Sequence, residues 1–235
     1  MTGRCATMGC GETAKRPATF ACHLVVMVKL PVAGKVKTRL ARGIGHARAI
    51  GFYRSALAAL VGRVKRSGRW HTYLAIAPDS GVSAPVWPRG CLRLAQGGGD
   101  LGERMQRVMD QLPPGPVIII GSDVPGITAA HIARGFRMLK GADAVIGPSP
   151  DGGYWLIGLR RCPRVPRLFN GVRWSHAETR ADTLRNMAGL RVRKIDELDD
   201  VDDADDYARL GRNAGRRIPG VSAVIRDLSM QPPAP

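Results

Sequence analysis

The stretch Val117–Pro125, reading VIIIGSDVP, constrains the fold more than any other part of the chain. Four branched apolar residues in a row have no polar face, so a strand built from them must be covered on both sides. It runs straight into Gly-Ser-Asp, which puts the carboxylate of Asp123 just past the strand's C-terminal end. Open α/β sheets bind their ligands at that end, and holding a divalent cation against a phosphate is one reason for an acid there. A plainer role is equally open: Asp123 caps a helix beginning near Thr128, or closes a turn with Pro125 and Gly126.

The rest of the chain repeats the alternation. Segments 23–28, 70–76, 91–94, 143–147, 155–159 and 191–195 read as strands, and 46–66, 101–112, 128–139, 177–187 and 203–210 as helices. In the longest helix Ile50, Tyr53, Leu57, Leu60, Val61 and Val64 recur near a 3.6 period. Asp100 is expected to cap the helix that follows it, with Glu103 at the capping-box position. Strands alternating with helices, most of the strands apolar throughout, imply a mostly parallel sheet between two helical layers. The Asp151-Gly-Gly turn leads directly into another strand, so one strand is expected to run antiparallel. The 235 residues suit one such domain, placed at 23–218, with 1–22 a loosely attached leader and 219–235 a tail.

Formal net charge is +17, which invites a nucleic-acid reading. The distribution argues against it: 29 arginines and 7 lysines are scattered, aromatic content is only 5%, and no helix-turn-helix, zinc-finger or RNA-binding pattern appears. A basic surface around an anionic nucleotide site is the better account. No run of apolar residues is long enough to span a membrane, and residues 1–22 have no apolar signal segment. The expected location is therefore the cytoplasm. Five cysteines in such a protein argue against a disulfide framework, and the spacing of Cys5, Cys10, Cys22 and His23 is not that of a zinc ribbon.

Four segments could carry chemistry. The loop Lys29–Arg39 follows the first strand; Pro31 and Gly34 shape it, and Lys29, Lys35, Lys37, Thr38 and Arg39 offer positive charge and donors for phosphates. It is not a P-loop, which would need glycine at 29 and Ser or Thr at 36. The run Gln96–Arg104, with Gly98 and Asp100, leads into a helix N-terminus, a place suited to anions. Asp151, Gly152 and Gly153 suggest another wall of the same cleft, or only a hairpin turn. The run Asp196–Asp206 holds eight of the 19 acidic residues, most of them solvated charge at a helix start; one member could meet Asp123 around a cation.

Together the pieces VKLPVAGKVKTRLA, GGGDLGERM, IIIGSDVPGI, IGPSPDGGYWLIGL, LFNGVRWS and DVDDADDYARL, in order from Val28 to Leu210, resemble the DUF2064 family of the glycosyltransferase-A (GT-A) superfamily. Its members are often labelled nucleotide-diphospho-sugar transferases; it is related to phospholactate guanylyltransferases, and one branch is associated with arsenosugar biosynthesis. The resemblance implies a Rossmann-like, three-layer GT-A domain with the Lys29–Arg39 loop over the phosphates. Asp123 would match the superfamily's metal-binding aspartate, and Asp202 the central Asp of the DxDTPED ending of related nucleotidyltransferases, the two holding Mg²⁺ or Mn²⁺. Two departures stand out: Asp123 has no second Asp two places away, so the DxD motif is incomplete, and position 176, often Thr in the family, is His.

The implied activity is glycosyl transfer from a nucleotide-activated sugar to a small acceptor. Lys37 and Arg39 would share the leaving group's charge, and Asp151 would serve as acceptor-side base. The alternatives are nucleotidyl transfer with release of pyrophosphate, and a non-catalytic nucleotide- or nucleic-acid-binding module.

Overall fold

The computed structural model describes residues 20–65, 68–161 and 166–213. The expected tail and nearly all of the expected leader lie outside them.

Seven strands form one sheet: β1 (His23–Lys29), β2 (His71–Ala77), β3 (Leu92–Ala95), β4 (Val117–Gly121), β5 (Ala144–Pro148), β6 (Tyr154–Leu159) and β7 (Val192–Lys194). Their order across the sheet is β3-β2-β1-β4-β6-β5-β7. β4 lies at the centre and β1 beside it, parallel to β2 on one side and to β4 on the other, with Val26 opposite Ile120. β6 runs antiparallel to both of its neighbours, as the Asp151 turn led us to expect.

Alternate residues of β4 feed opposite faces. Ile118 and Ile120 pack with Leu57, Leu60 and Val64 of α2 (His46–Val64) and Ile132 and Phe136 of α4 (Ala129–Met138). Val117 and Ile119 pack with Met105, Val108 and Met109 of α3 (Leu101–Gln111), in a cluster that also takes in Leu184 of α5 (Thr179–Asn186). Burial on both faces explains why β4 is apolar without interruption. The architecture is thus the three-layer α/β fold expected, and among the described residues no helix is long and apolar enough to cross a membrane.

One helix was not legible in the sequence. α1 (Thr38–Ile44) begins within the end of the expected Lys29–Arg39 loop and fills the stretch before α2. At seven residues it is too short to show a period. It is stabilised by a small separate core in which Leu40 and Ala41 meet Phe52 and Val201. The last helix, α6 (Ala204–Asn213), packs on it. Gly43 of α1 approaches so closely that a Cβ there would stand 2.5 Å from the Cβ of Ala204.

Candidate functional site

The C-terminal ends of β1 and β4 and the start of β6 open into a cleft of about 670 Å³. Its rim carries Lys29, Lys35, Thr38, Arg39, Asp123 and Asp202. Its inner side is apolar: Met27, Met105, Ile119 and Ile157 all belong to the core on the α3 side of the sheet.

Asp123 does not cap the helix that follows it. Thr128 does so, its hydroxyl accepting from His131 N at 3.3 Å. The Asp123 side chain instead turns toward the first loop and is 43% exposed. Its Oδ1 lies 3.2 Å from the ammonium of Lys37, and the same ammonium lies 2.8 Å from Oδ1 of Asp202, itself 45% exposed. Residues from three distant parts of the chain thereby converge on one positive charge.

The backbone explains how they meet. Val201 is buried beside α1, and its N–H donates to the carbonyl of Asp123 at 3.1 Å, tying the acidic segment to the turn after β4. Lys37 donates to the Val201 carbonyl at 2.7 Å as well. Lys37 stands at the start of α1 in the left-handed conformation (φ 48°). For a residue other than glycine this costs on the order of 1–2 kcal/mol. Only 5% of its side chain is exposed. Burial alone would lower its pKa; Asp123 and then Asp202 reverse this, and the net shift is upward, so the lysine stays charged.

Other side chains brace the site. The Tyr53 hydroxyl accepts from Lys29 N (2.9 Å) and donates to Lys29 O (3.0 Å), fixing the end of β1; burial pushes its pKa up to about 12. Gln96, buried at the end of β3, donates to the carbonyls of Val28 (3.0 Å) and Ala75 (2.7 Å), joining three strand ends. Asp100 forms the expected capping box with Glu103 and faces the cleft. The carbonyls of Gln96 and Gly98 accept from Arg107 of α3, so the glycine run is held by an arginine of its own domain.

Several anticipated residues are not among those lining the cleft. Gly34 (φ 73°) serves the turn after Pro31, and neither contributes to the lining. Asp151 accepts from Gly153 N at 2.9 Å and closes its own turn. Gly152 (φ 85°) brings that turn against the backbone of Ala177, where no side chain fits. Burial, with Asp202 and Asp151 nearby, raises the pKa of Asp200 to about 6.

The cleft also includes residues to which the sequence assigned no role: Ser122, Arg104, Tyr154, Trp174 and Ser175. Ser175 sits at φ 57°, and Asp182 holds the preceding Arg173 through both its backbone N–H (3.1 Å) and its guanidinium (2.8 Å). A hydrophobic period cannot reveal such residues; for Ser175 alone among them the positive φ at a non-glycine is a mark, and only coordinates carry it.

This sheet order, with one reversed strand and a cleft over the central strand ends, defines a nucleotidyltransferase-like, GT-A-like α/β protein. The chain belongs to the DUF2064 family, whose model, described as an uncharacterized protein conserved in bacteria, matches residues 60–176. A "putative nucleotide-diphospho-sugar transferase" from Desulfovibrio desulfuricans G20 is 30% identical with a TM-score of 0.76, over 88% of this chain and 94% of its own. The manganese complex of Rv0371c from Mycobacterium tuberculosis H37Rv is 19% identical with a TM-score of 0.51, over 82% of this chain and 98% of its own. The 4-diphosphocytidyl-2C-methyl-D-erythritol synthase of Anaerococcus prevotii DSM 20548 is 11% identical with a TM-score of 0.55, over 84% and 99% respectively. The last two resemblances concern the fold alone. No curated protein sequence matches the chain.

Proposed function

We propose that the protein is a metal-dependent transferase that uses a nucleotide-activated donor, and that it transfers a glycosyl group from a nucleotide-diphospho-sugar to a small acceptor. The observation that carries this reading is the convergence of Asp123 and Asp202 on a single cation, the Lys37 ammonium, at 3.2 and 2.8 Å in an open cleft. Two half-exposed carboxylates that already share one cation are a donor set suited to Mg²⁺ or Mn²⁺. Among the described residues no group of three or more His, Cys, Asp or Glu could hold a metal. The remaining ligands would be water and substrate phosphate, as is usual for magnesium. The metal, when bound, would supply Lewis-acid neutralisation of the leaving diphosphate.

Lys29, Lys35 and Arg39 on the rim would grip the phosphates through charge-assisted hydrogen bonds. In the reaction an acceptor hydroxyl attacks the anomeric carbon, the bond from that carbon to the diphosphate oxygen breaks, and the nucleoside diphosphate departs. The acceptor's proton would pass to Asp151, which lies near enough to the Asp200 carboxylate to interact with it, and from there to water. The 30% identity to a protein named for nucleotide-diphospho-sugar transfer favours this reaction.

Nucleotidyl transfer is the second reading, favoured by the fold's likeness to a diphosphocytidyl-methylerythritol synthase. There a phosphorylated acceptor attacks the α-phosphate of a nucleoside triphosphate and pyrophosphate leaves. Incubating the enzyme with Mn²⁺, nucleotide sugars or nucleoside triphosphates and candidate acceptors separates the two by product: nucleoside diphosphate for the first, pyrophosphate for the second. Asp123→Asn should lower turnover by about two orders of magnitude or more, the scale typical for loss of an electrostatic stabiliser, with its melting temperature close to wild type. Full activity in that variant would remove Asp123 from the site. A cytoplasmic location goes with this reading, since such donors are cytoplasmic metabolites.

A further inference from the structure

The Lys37 ammonium is bound more completely than gripping a phosphate would need. It donates to Asp202 Oδ1 at 2.8 Å and to the Val201 carbonyl at 2.7 Å, and stands 3.2 Å from Asp123 Oδ1. Its side chain is 5% exposed, whereas Lys35 and Arg39 on the same loop are exposed. Its backbone is held left-handed at φ 48°, a strained setting that is worth maintaining only if it aims the side chain somewhere specific. Two ammonium protons are taken by these hydrogen bonds and the ion pair with Asp123 adds a third close oxygen, so the charge of Lys37 is already met within the protein.

The two carboxylates explain the arrangement. Brought within reach of one another by the Val201–Asp123 backbone bond, they repel unless a cation lies between them. A divalent ion held by the same two carboxylates would compete with the ammonium for them.

We propose that Lys37 is the resident counter-ion of the metal site: it holds Asp123 and Asp202 together before metal arrives and is expelled when a divalent cation enters. This rests on the reading of those two aspartates as metal ligands. In it Lys37 is a positioning residue that sets metal affinity. A divalent ion must pay for the ammonium's release, so binding is weaker than the carboxylates alone would give. The released ammonium would then have its proton donors free for an anion in the cleft. That couples metal entry to completion of the anion-binding rim.

The test is Mn²⁺ binding by the full chain without nucleotide, followed through the electron paramagnetic resonance signal of free Mn²⁺. Lys37→Gln should bind Mn²⁺ about tenfold more tightly or better, the size expected for relief of one like-charge contact. Lys37→Arg, which retains the charge, should stay within about threefold of wild type by the same argument. Equal or weaker binding by Lys37→Gln overturns the proposal, as does equal tightening by Lys37→Arg. Asp123→Asn is a separate arm. If it binds Mn²⁺ like wild type, the metal reading of Asp123 falls; if it binds weakly while Lys37→Gln gains nothing, only the counter-ion role falls.

A second measurement needs no variant to fold. Reductive methylation of wild-type protein, read by peptide mass spectrometry, should modify Lys37 several-fold faster at saturating Mn²⁺ than in chelator. Methylation that is unchanged or slowed by Mn²⁺ overturns the proposal independently.

Discussion

Single residues in this protein differ in what their charge does. Asp123 and Asp202 were both legible as acids at a suggestive place, but not as neighbours of each other or of Lys37; 79 residues separate the first two in sequence. In sequence Asp182 is only part of a helix, yet it is 3% exposed, bonded by Arg173 through three nitrogens and paired with Arg185. The hydrogen bonds from Arg173 hold its carboxyl well below the usual carboxylate range. A carboxyl whose folded pKa is depressed contributes stability above its unfolded value, about 3.9, and that contribution is lost as pH falls through the folded value. Thermal melts from pH 7 down to pH 2 should thus show Asp182→Asn less stable than wild type at neutral pH, with the gap closing below about pH 4. A gap that stays constant with pH would mean that the Asp182 charge plays no part.

At the scale of elements, the site depends on how α6 and the acidic run before it are seated on α1. Val201 fills the small core that Leu40 and Phe52 begin, and Gly43 lets the two helices touch. Gly43→Ala forces a methyl group to within 2.5 Å of the Ala204 Cβ. Overpacking of this kind typically costs about 1–3 kcal/mol, and the expected drop in urea midpoint should come with weaker Mn²⁺ binding, because Asp202 is carried on the displaced segment. A stable variant with unchanged Mn²⁺ affinity would show that the α1–α6 contact does not position Asp202. β4 and α3 were legible because their signals are local: a branched apolar run for one, an Asp-x-x-Glu box for the other. α1 had no such signal, since its two buried residues acquire meaning only when Val201 and Phe52 arrive from elsewhere.

For the whole molecule, the chain carries a net charge of +17, and its cleft sets Lys29, Lys35, Arg39 and Arg104 beside Asp100, Asp123 and Asp202. Such a field attracts anions at a distance and is screened by salt. Raising salt from 50 to 500 mM should weaken binding of a nucleoside diphosphate by about fivefold, while an uncharged nucleoside changes little. Isothermal titration at the two ionic strengths measures both. A far steeper loss for polynucleotide, with tighter affinity than for the mononucleotide, would favour the nucleic-acid-binding alternative instead.

The sequence alone determined the layers, the reversal of β6 and the position of Asp123 at a strand end, because each follows from short-range pattern: apolar runs, turn residues and the alternation of helix with strand. Tertiary structure alone decided that Asp123 faces Asp202 across Lys37 and that Trp174 and Ser175 join the cleft wall. These depend on contacts between residues tens to more than a hundred positions apart. Where a side chain points after such a contact is fixed by packing and by pairing of charge, neither of which has a period along the chain.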